Sequence, residues 1–188
     1  MTIDEKLLMA ADKISFCFEQ GGKLLLCGNG GSAADCAHIT GELVKGFMKK
    51  RPLPAALCEA IGESWAQSLQ GGLPAIDLTA NAALMTAVIN DIDGQSVYAQ
   101  QVMAYGQKGD VIIGISTSGN AENVGRALKA ARAKGLYPIG MTGESGGKMK
   151  DLCDLLLNVA ENETYRIQEK HLSLYHRLCI LIEERLFP

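Results

Sequence analysis

The chain has 188 residues, of which 47% are apolar, a length that suits one domain with a sizeable core. Eighteen Lys and Arg against twenty-one Asp and Glu give a net charge of −3 and a pI near 5.6. That balance argues against a general nucleic-acid binder, and an aromatic content of 5% argues against base-stacking platforms. It leaves room for an anionic small molecule, because backbone N–H groups hold phosphate without net positive charge.

The N-terminal Met-Thr-Ile-Asp-Glu-Lys has no basic segment leading into an apolar one, and no run of about eighteen apolar residues occurs, so a cytoplasmic protein with no membrane span is expected. The six cysteines (Cys17, Cys27, Cys36, Cys58, Cys153, Cys179) form no CxxC pair and sit mostly in apolar runs, which reads as buried, reduced thiols.

Apolar positions at Leu7, Leu8, Ala11, Ile14 and Phe18 predict a helix over 2–20, stopped by Gly21-Gly22. A strand over 23–27 runs into Gly28-Asn29-Gly30-Gly31-Ser32, followed by a helix to about Phe47. Leu53–Cys58 reads as a second strand. Residues 59–80 are irregular, 80–89 helical, 90–94 a polar loop and 96–106 helical. The second half is more regular. Strands are predicted over 110–116, 137–142 and 155–160, and helices over 121–134, 148–153 and 164–186. Strands that are continuous apolar runs, alternating with helices, predict a parallel sheet covered by helices on both faces, within one domain over 1–188.

Ligands of such sheets sit at the carboxyl ends of the strands. Three loops there are small and polar: 28–32, 116–120 and 142–147. The first two lead into helix N-termini, where free N–H groups and the helix dipole favour an anion, and Ser116, Thr117 and Ser118 add hydroxyl donors. A hydroxyl-rich turn that only caps a helix is the plainer alternative. Gly28–Ala33 also fits a G-x-G-x-x-A dinucleotide fingerprint, but the acidic residue that should close the second strand could only be Glu59, which comes late. Gly143–Lys148 is one residue short of a phosphate-binding P-loop and is followed by Met149, so no nucleotide cofactor is expected.

All three histidines lie on two helices. His38 and Glu42 share one helix face at i, i+4, and Gln168 and His176 lie two turns apart on the last helix, with His171 on a neighbouring stripe. Imidazole with carboxylate on one helix, and amide with imidazole on another, can build a metal site or an acid–base pair. Asn90-Asp91 adds a polar pair that is otherwise an ordinary turn.

These residues resemble the sugar isomerase (SIS) domain family, and within it the phosphoheptose isomerases. The matching stretches are CGNGGSAAD at 27–35, His38 and Glu42, Asn90-Asp91, GDVIIGISTSGN at 109–120, TGESGGKM at 142–149, and RIQEKH at 166–171 with His176. The resemblance implies a three-layer α/β/α sandwich around a five-stranded parallel sheet, a homotetramer with active sites between subunits, and ketose–aldose isomerisation of sedoheptulose 7-phosphate in the heptose pathway. By the same resemblance, Asn29, Gly30, Gly31, Ser32, Asn90, Asp91 and Gln168 contact the sugar phosphate, and Ser116, Thr117 and Ser118 hold the phosphate. His38, Glu42, Gln168 and His176 match the positions that bind one zinc per subunit, and Glu42 and His176 match the catalytic base and acid. The chain departs from the family pattern at Ala121, where a serine is usual, at Tyr165, where an acid is usual, and in its long segment 59–80. A second reading is a non-enzymatic regulator like the SIS relative DiaA, which binds the replication initiator DnaA; its similar ending is Leu186-Phe187-Pro188, but it lacks the equivalents of Glu42 and His176. A dinucleotide-dependent dehydrogenase is the third.

Overall fold

A computed structural model describes residues 1–188. The chain runs α1 (Ile3–Glu19), β1 (Leu24–Gly28), α2 (Gly31–Val44), α3 (Ala55–Ile61), α4 (Glu63–Ala66), β2 (Ala75–Asp77), α5 (Ala82–Asp91), α6 (Val97–Tyr105), β3 (Val111–Ile115), α7 (Glu122–Ala133), β4 (Tyr137–Thr142), β5 (Leu155–Asn158) and α8 (Thr164–Leu186). Short 3₁₀ turns cover Gly94–Ser96 and Gly147–Asp151. The five strands pair in parallel in the order β2-β1-β3-β4-β5.

Every residue of β1 and β3 is buried, which is why their sequences are unbroken apolar runs rather than alternating ones. One face of the sheet packs on α1, α2 and α8 through Leu7, Ile14, Ile39, Leu43, Leu174 and Leu178. The other packs on α5, α6 and α7 through Val88, Val102, Val124 and Leu128. The expected α/β/α layering is therefore present. No helix is long and apolar enough to cross a membrane. All six cysteines are free thiols, four of them buried.

The strand expected at 53–58 is absent. Pro54 instead opens α3, whose run Ala-Ala-Leu-Cys-Glu-Ala has no β-branched residue before Ile61 and buries none of its side chains. The second strand is the three-residue edge strand Ala75–Asp77, inside the stretch that reads as irregular. The helix expected to reach Phe47 ends at Val44, because a buried carboxylate captures the next N–H groups: Glu183 accepts from Phe47 N, Met48 N and Lys49 N at 3.0, 2.7 and 3.0 Å. Asn90 and Asp91 close α5 rather than forming a loop.

The strand order places the site. After β1 the chain moves to one side, to β2, and then crosses to β3 on the other side of β1. Adjacent β1 and β3 thus send their following loops in opposite directions and leave a crevice at their carboxyl ends. Gly28 is in register with Ile115, so loops 29–30 and 116–120 begin side by side.

Candidate active site

The loop after β1 turns at Gly30, whose φ of +56° suits glycine. Asn29 exchanges two amide hydrogen bonds with Asn123, both 2.9 Å, and Tyr98 donates to the Gly28 carbonyl at 2.5 Å and to Asn29 Oδ1 at 3.1 Å. Neither Asn123 nor Tyr98 stands out in the sequence, yet together they fix the side chain of Asn29. Ser32 is buried, and Gly31 faces α8 so closely that a Cβ there would run into the Gln168 amide. This brings Gln168 to the start of α2.

Beside it, Ser116 N donates to the Met141 carbonyl at 3.0 Å and Gly119 N to the Ser116 carbonyl at 2.9 Å, which close a tight turn. The N–H groups of Thr117 and Ser118 and the hydroxyls of Ser116 and Thr117 take no protein acceptor. The third loop supports this turn from behind. Gly143 N donates to Thr117 O at 2.9 Å, Lys148 N to Asn120 Oδ1 at 3.1 Å, and a Cβ at Gly119 would strike the Gly146 carbonyl. The result is a rigid cup of unused donors, the arrangement a phosphate monoester needs.

Helices α2 and α8 pack side by side with their chains in the same direction, so Gly31 meets Gln168, His38 meets Tyr175 and His176, and Phe47 meets Glu183. His38 Nε2 lies 3.1 Å from Glu42 Oε1, and Lys45 Nζ donates to Glu42 Oε2 at 2.6 Å. Burial pushes the Glu42 carboxyl up, but Lys45 and His38 outweigh it and hold the group below the usual value of 4.5. Glu42 is therefore ionised at neutral pH. The rings of His38 and His176 stand 5.0 Å apart at 82°, and Phe47 flanks His176 at 5.6 Å.

Asn90 and Asp91 do not join this cluster; their side chains bond to one another at 2.7 Å on an exposed helix end. His171 is fully buried and faces the Thr142 carbonyl at 3.2 Å. Asp35, one turn from His38 on the same face of α2, does not stand out in the sequence beyond its place in the 31, 35, 38, 42 spacing. A cavity of about 510 Å³ lined by Lys50, Arg51, Cys58, Glu63 and Gln70 contains none of these residues.

No three His, Cys, Asp or Glu side chains close on one point. The donor types still suit zinc: imidazole nitrogens from His38 and His176, the Glu42 carboxylate and the Gln168 amide oxygen. His176 Nε2 is buried with no hydrogen-bond partner, an atom that an ion or a substrate hydroxyl would satisfy.

Comparison with known proteins bears on this arrangement. The SIS domain model matches residues 1–70 and 66–143. A phosphoheptose isomerase of Burkholderia pseudomallei (strain 1710b) is 44% identical over 191 residues, covering 100% of this chain and 87% of its own. One from Aneurinibacillus thermoaerophilus is 40% identical, with 98% and 85% covered. Among solved structures, phosphoheptose isomerase GmhA from Neisseria gonorrhoeae superposes with a TM-score of 0.80 at 37% identity, covering 96% of this chain and 86% of that one.

Proposed function

The chain belongs to the SIS domain family and, within it, to the phosphoheptose isomerases, and from that premise we propose that it converts sedoheptulose 7-phosphate to the aldose heptose 7-phosphate through an enediol. It is a phosphosugar isomerase. The observation that carries the assignment of the chemistry to particular residues is the meeting of Glu42, His38 and His176 on the α2/α8 seam.

The reaction moves a proton between C1 and C2 and needs a base, a proton donor at the carbonyl oxygen and a fixed substrate. Ser116, Thr117 and Ser118 hold the phosphate with the free N–H groups and hydroxyls of their turn. That remote grip orients the reacting end at the cost of no catalytic group. Asn29, Gly30, Gly31, Ser32 and Gln168 line the sugar's path from the cup to the seam, and Asn90 and Asp91 are the further sugar contacts that the family resemblance implies. Glu42, ionised and only partly exposed, takes the proton from carbon. His176 gives a proton to the carbonyl oxygen.

A zinc ion held by His38, Glu42, Gln168 and His176 would polarise the carbonyl oxygen or fix the hydroxyls. Glu42 and His176 act as base and acid only while they are not both tied up as ligands. The site lies on an open face, where the His38 side chain is 41% exposed; a partner subunit of a homotetramer would cover it and exclude water. A cytoplasmic location suits the free thiols and the phosphorylated substrate. Glu42 and His176 favour an enzyme over a regulator of the DiaA type.

The test is an isomerase assay on sedoheptulose 7-phosphate and shorter sugar phosphates, with and without a chelator. Turnover of the seven-carbon substrate above the shorter ones is expected, and no turnover of any of them would reject the assignment.

A further inference from the structure

Asn29 is held from two sides, and the two sides are not equivalent. Its Nδ2 donates to Asn123 Oδ1 and its Oδ1 accepts from Asn123 Nδ2, both at 2.9 Å. The Tyr98 hydroxyl lies 3.1 Å from the same Asn29 Oδ1 and 2.5 Å from the Gly28 carbonyl oxygen. Asn123 sits in the first turn of α7, directly after the loop 116–120, whereas Asn29 opens the loop after β1.

The sense of each amide follows from which atoms can donate. Val124 N, one of the donors that a helix start leaves over, donates to Asn123 Oδ1 at 2.9 Å. A backbone N–H can only donate, so this contact identifies the oxygen of Asn123 and, with it, the nitrogen that faces Asn29. Asn29 must then turn its own nitrogen to Asn123 Oδ1 and its oxygen to Asn123 Nδ2. Tyr98 alone would not impose this. Its one proton goes to the Gly28 carbonyl at the shorter distance, which leaves its oxygen able to accept, and an Asn29 amide turned over by about 180° would donate to that oxygen. In the observed sense, the second hydrogen of Asn29 Nδ2 takes no protein acceptor, on an exposed side chain at the carboxyl end of β1. In the reversed sense an oxygen would stand in its place.

We propose that Asn123 is a positioning residue that fixes the sense of the Asn29 amide, so that Asn29 meets the sugar phosphate as a hydrogen-bond donor to one of its oxygens. This rests on the reading of Asn29 as a sugar-phosphate contact given above. Because α7 leads out of the loop that holds the phosphate, its first turn ties the phosphate end of the site to the sugar end. Loss of the Asn123 side chain frees Asn29 to turn over toward Tyr98 and to present an oxygen where the substrate needs a donor.

The test is a double-mutant cycle on the binding of sedoheptulose 7-phosphate, measured by calorimetry beside turnover, for wild type, Asn123→Ala, Asn29→Ala and the double variant. Each single variant is expected to bind the phosphosugar about 3- to 10-fold more weakly, the span of one net hydrogen bond. The double variant is expected to bind no more weakly than Asn29→Ala, because Asn123 acts through Asn29. Inorganic phosphate, a probe of the loop 116–120 alone, is expected to bind Asn123→Ala as it binds the wild type; a merely structural Asn123, supporting α7 and that loop, would weaken it. Unchanged phosphosugar binding in either single variant, additive losses in the double, or weakened phosphate binding in Asn123→Ala would each overturn the proposal. If Asn123→Ala fails to fold, Asn123→Ser, which keeps a polar side chain at the helix start, takes its place in the cycle. Wild-type protein that turns over the phosphosugar while the losses add would overturn the positioning role and leave the isomerase reading standing, whereas wild-type protein that shows the coupling in binding but turns over no sugar phosphate would do the opposite.

Discussion

His38 and His176 stand edge to face, their ring centroids 5.0 Å apart, although 138 positions of sequence separate them. Glu42 joins this pair at 3.1 Å from His38. The parallel packing of α2 on α8 makes the meeting, and the same packing brings Gln168 against Gly31.

The phosphate cup makes a demand that can be separated from the chemistry. Ser116 is buried and its hydroxyl has no protein acceptor. Ser116→Ala should therefore leave the fold intact and remove one hydrogen bond to a charged group, worth about 1.5–3 kcal/mol. That is roughly a 10- to 100-fold rise in KM for the phosphosugar. Steady-state kinetics, with the melting temperature as a control, checks this; an unchanged KM would exclude Ser116 from phosphate binding.

The turn that carries the cup depends on Gly119. Its φ is +66°, and a Cβ there would strike the Gly146 carbonyl. Gly119→Ala should cost about 1–3 kcal/mol for the left-handed conformation alone, and more for the collision with backbone. Urea unfolding should show the loss, and substrate binding should weaken with it because loops 116–120 and 142–147 separate. Gly30→Ala also has positive φ but meets nothing within 4 Å, so it should be the milder of the two.

The seam is clamped below the site by a fully buried ion pair. Arg51 Nε lies 2.9 Å from Glu183 Oε1, and Arg51 also donates to the carbonyls of Leu43 and Glu42 at 2.5 and 3.3 Å. Glu183→Gln leaves the Arg51 charge unpaired and should cost about 3–5 kcal/mol. Because Arg51 grips the backbone of Glu42, turnover should fall along with stability.

Acid stability follows from two groups with their signs worked out. Burial raises the Glu183 carboxyl, but the N–H groups of Phe47 and Met48 and the Arg51 charge hold it below 4.5 overall. Its contribution is present above 4.5 and is lost as pH falls through the lower folded-state value. Burial holds His171 below 6.5, with the Thr142 carbonyl opposing. The unfolded chain then binds the extra proton, so stability also declines as pH drops below 6.5. Urea midpoints from pH 7 to 3 should fall in two stages. Glu183→Gln should shrink the lower stage, to which Glu42 also contributes, and His171→Asn should remove the upper one; stages unaffected by either variant would contradict these assignments.

Much of this was legible in the chain. β3, β4 and α8 announce themselves through the run VIIGI, the run YPIGMT and twenty-three residues of helical periodicity. The three loops at the strand ends were visible as glycine and hydroxyl clusters. β2 was not, because three residues are too few to carry a period and the neighbouring Leu53–Cys58 is apolar enough to imitate a strand. Arg51 and Glu183 read as surface charges, since nothing local reveals a partner 132 residues away. Tyr175 reads as one more buried aromatic; its hydroxyl matters only once His38 lies beside it.

The most direct measurement is the turnover of sedoheptulose 7-phosphate by Glu42→Gln beside the wild type, with binding of the phosphosugar measured on both by calorimetry. The substitution keeps the side chain's shape and removes its ability to take a proton. The expected result is a fall in kcat of about 10²–10⁴ with binding retained. Near-normal turnover by Glu42→Gln would contradict the assignment of the proton transfer to the α2/α8 seam.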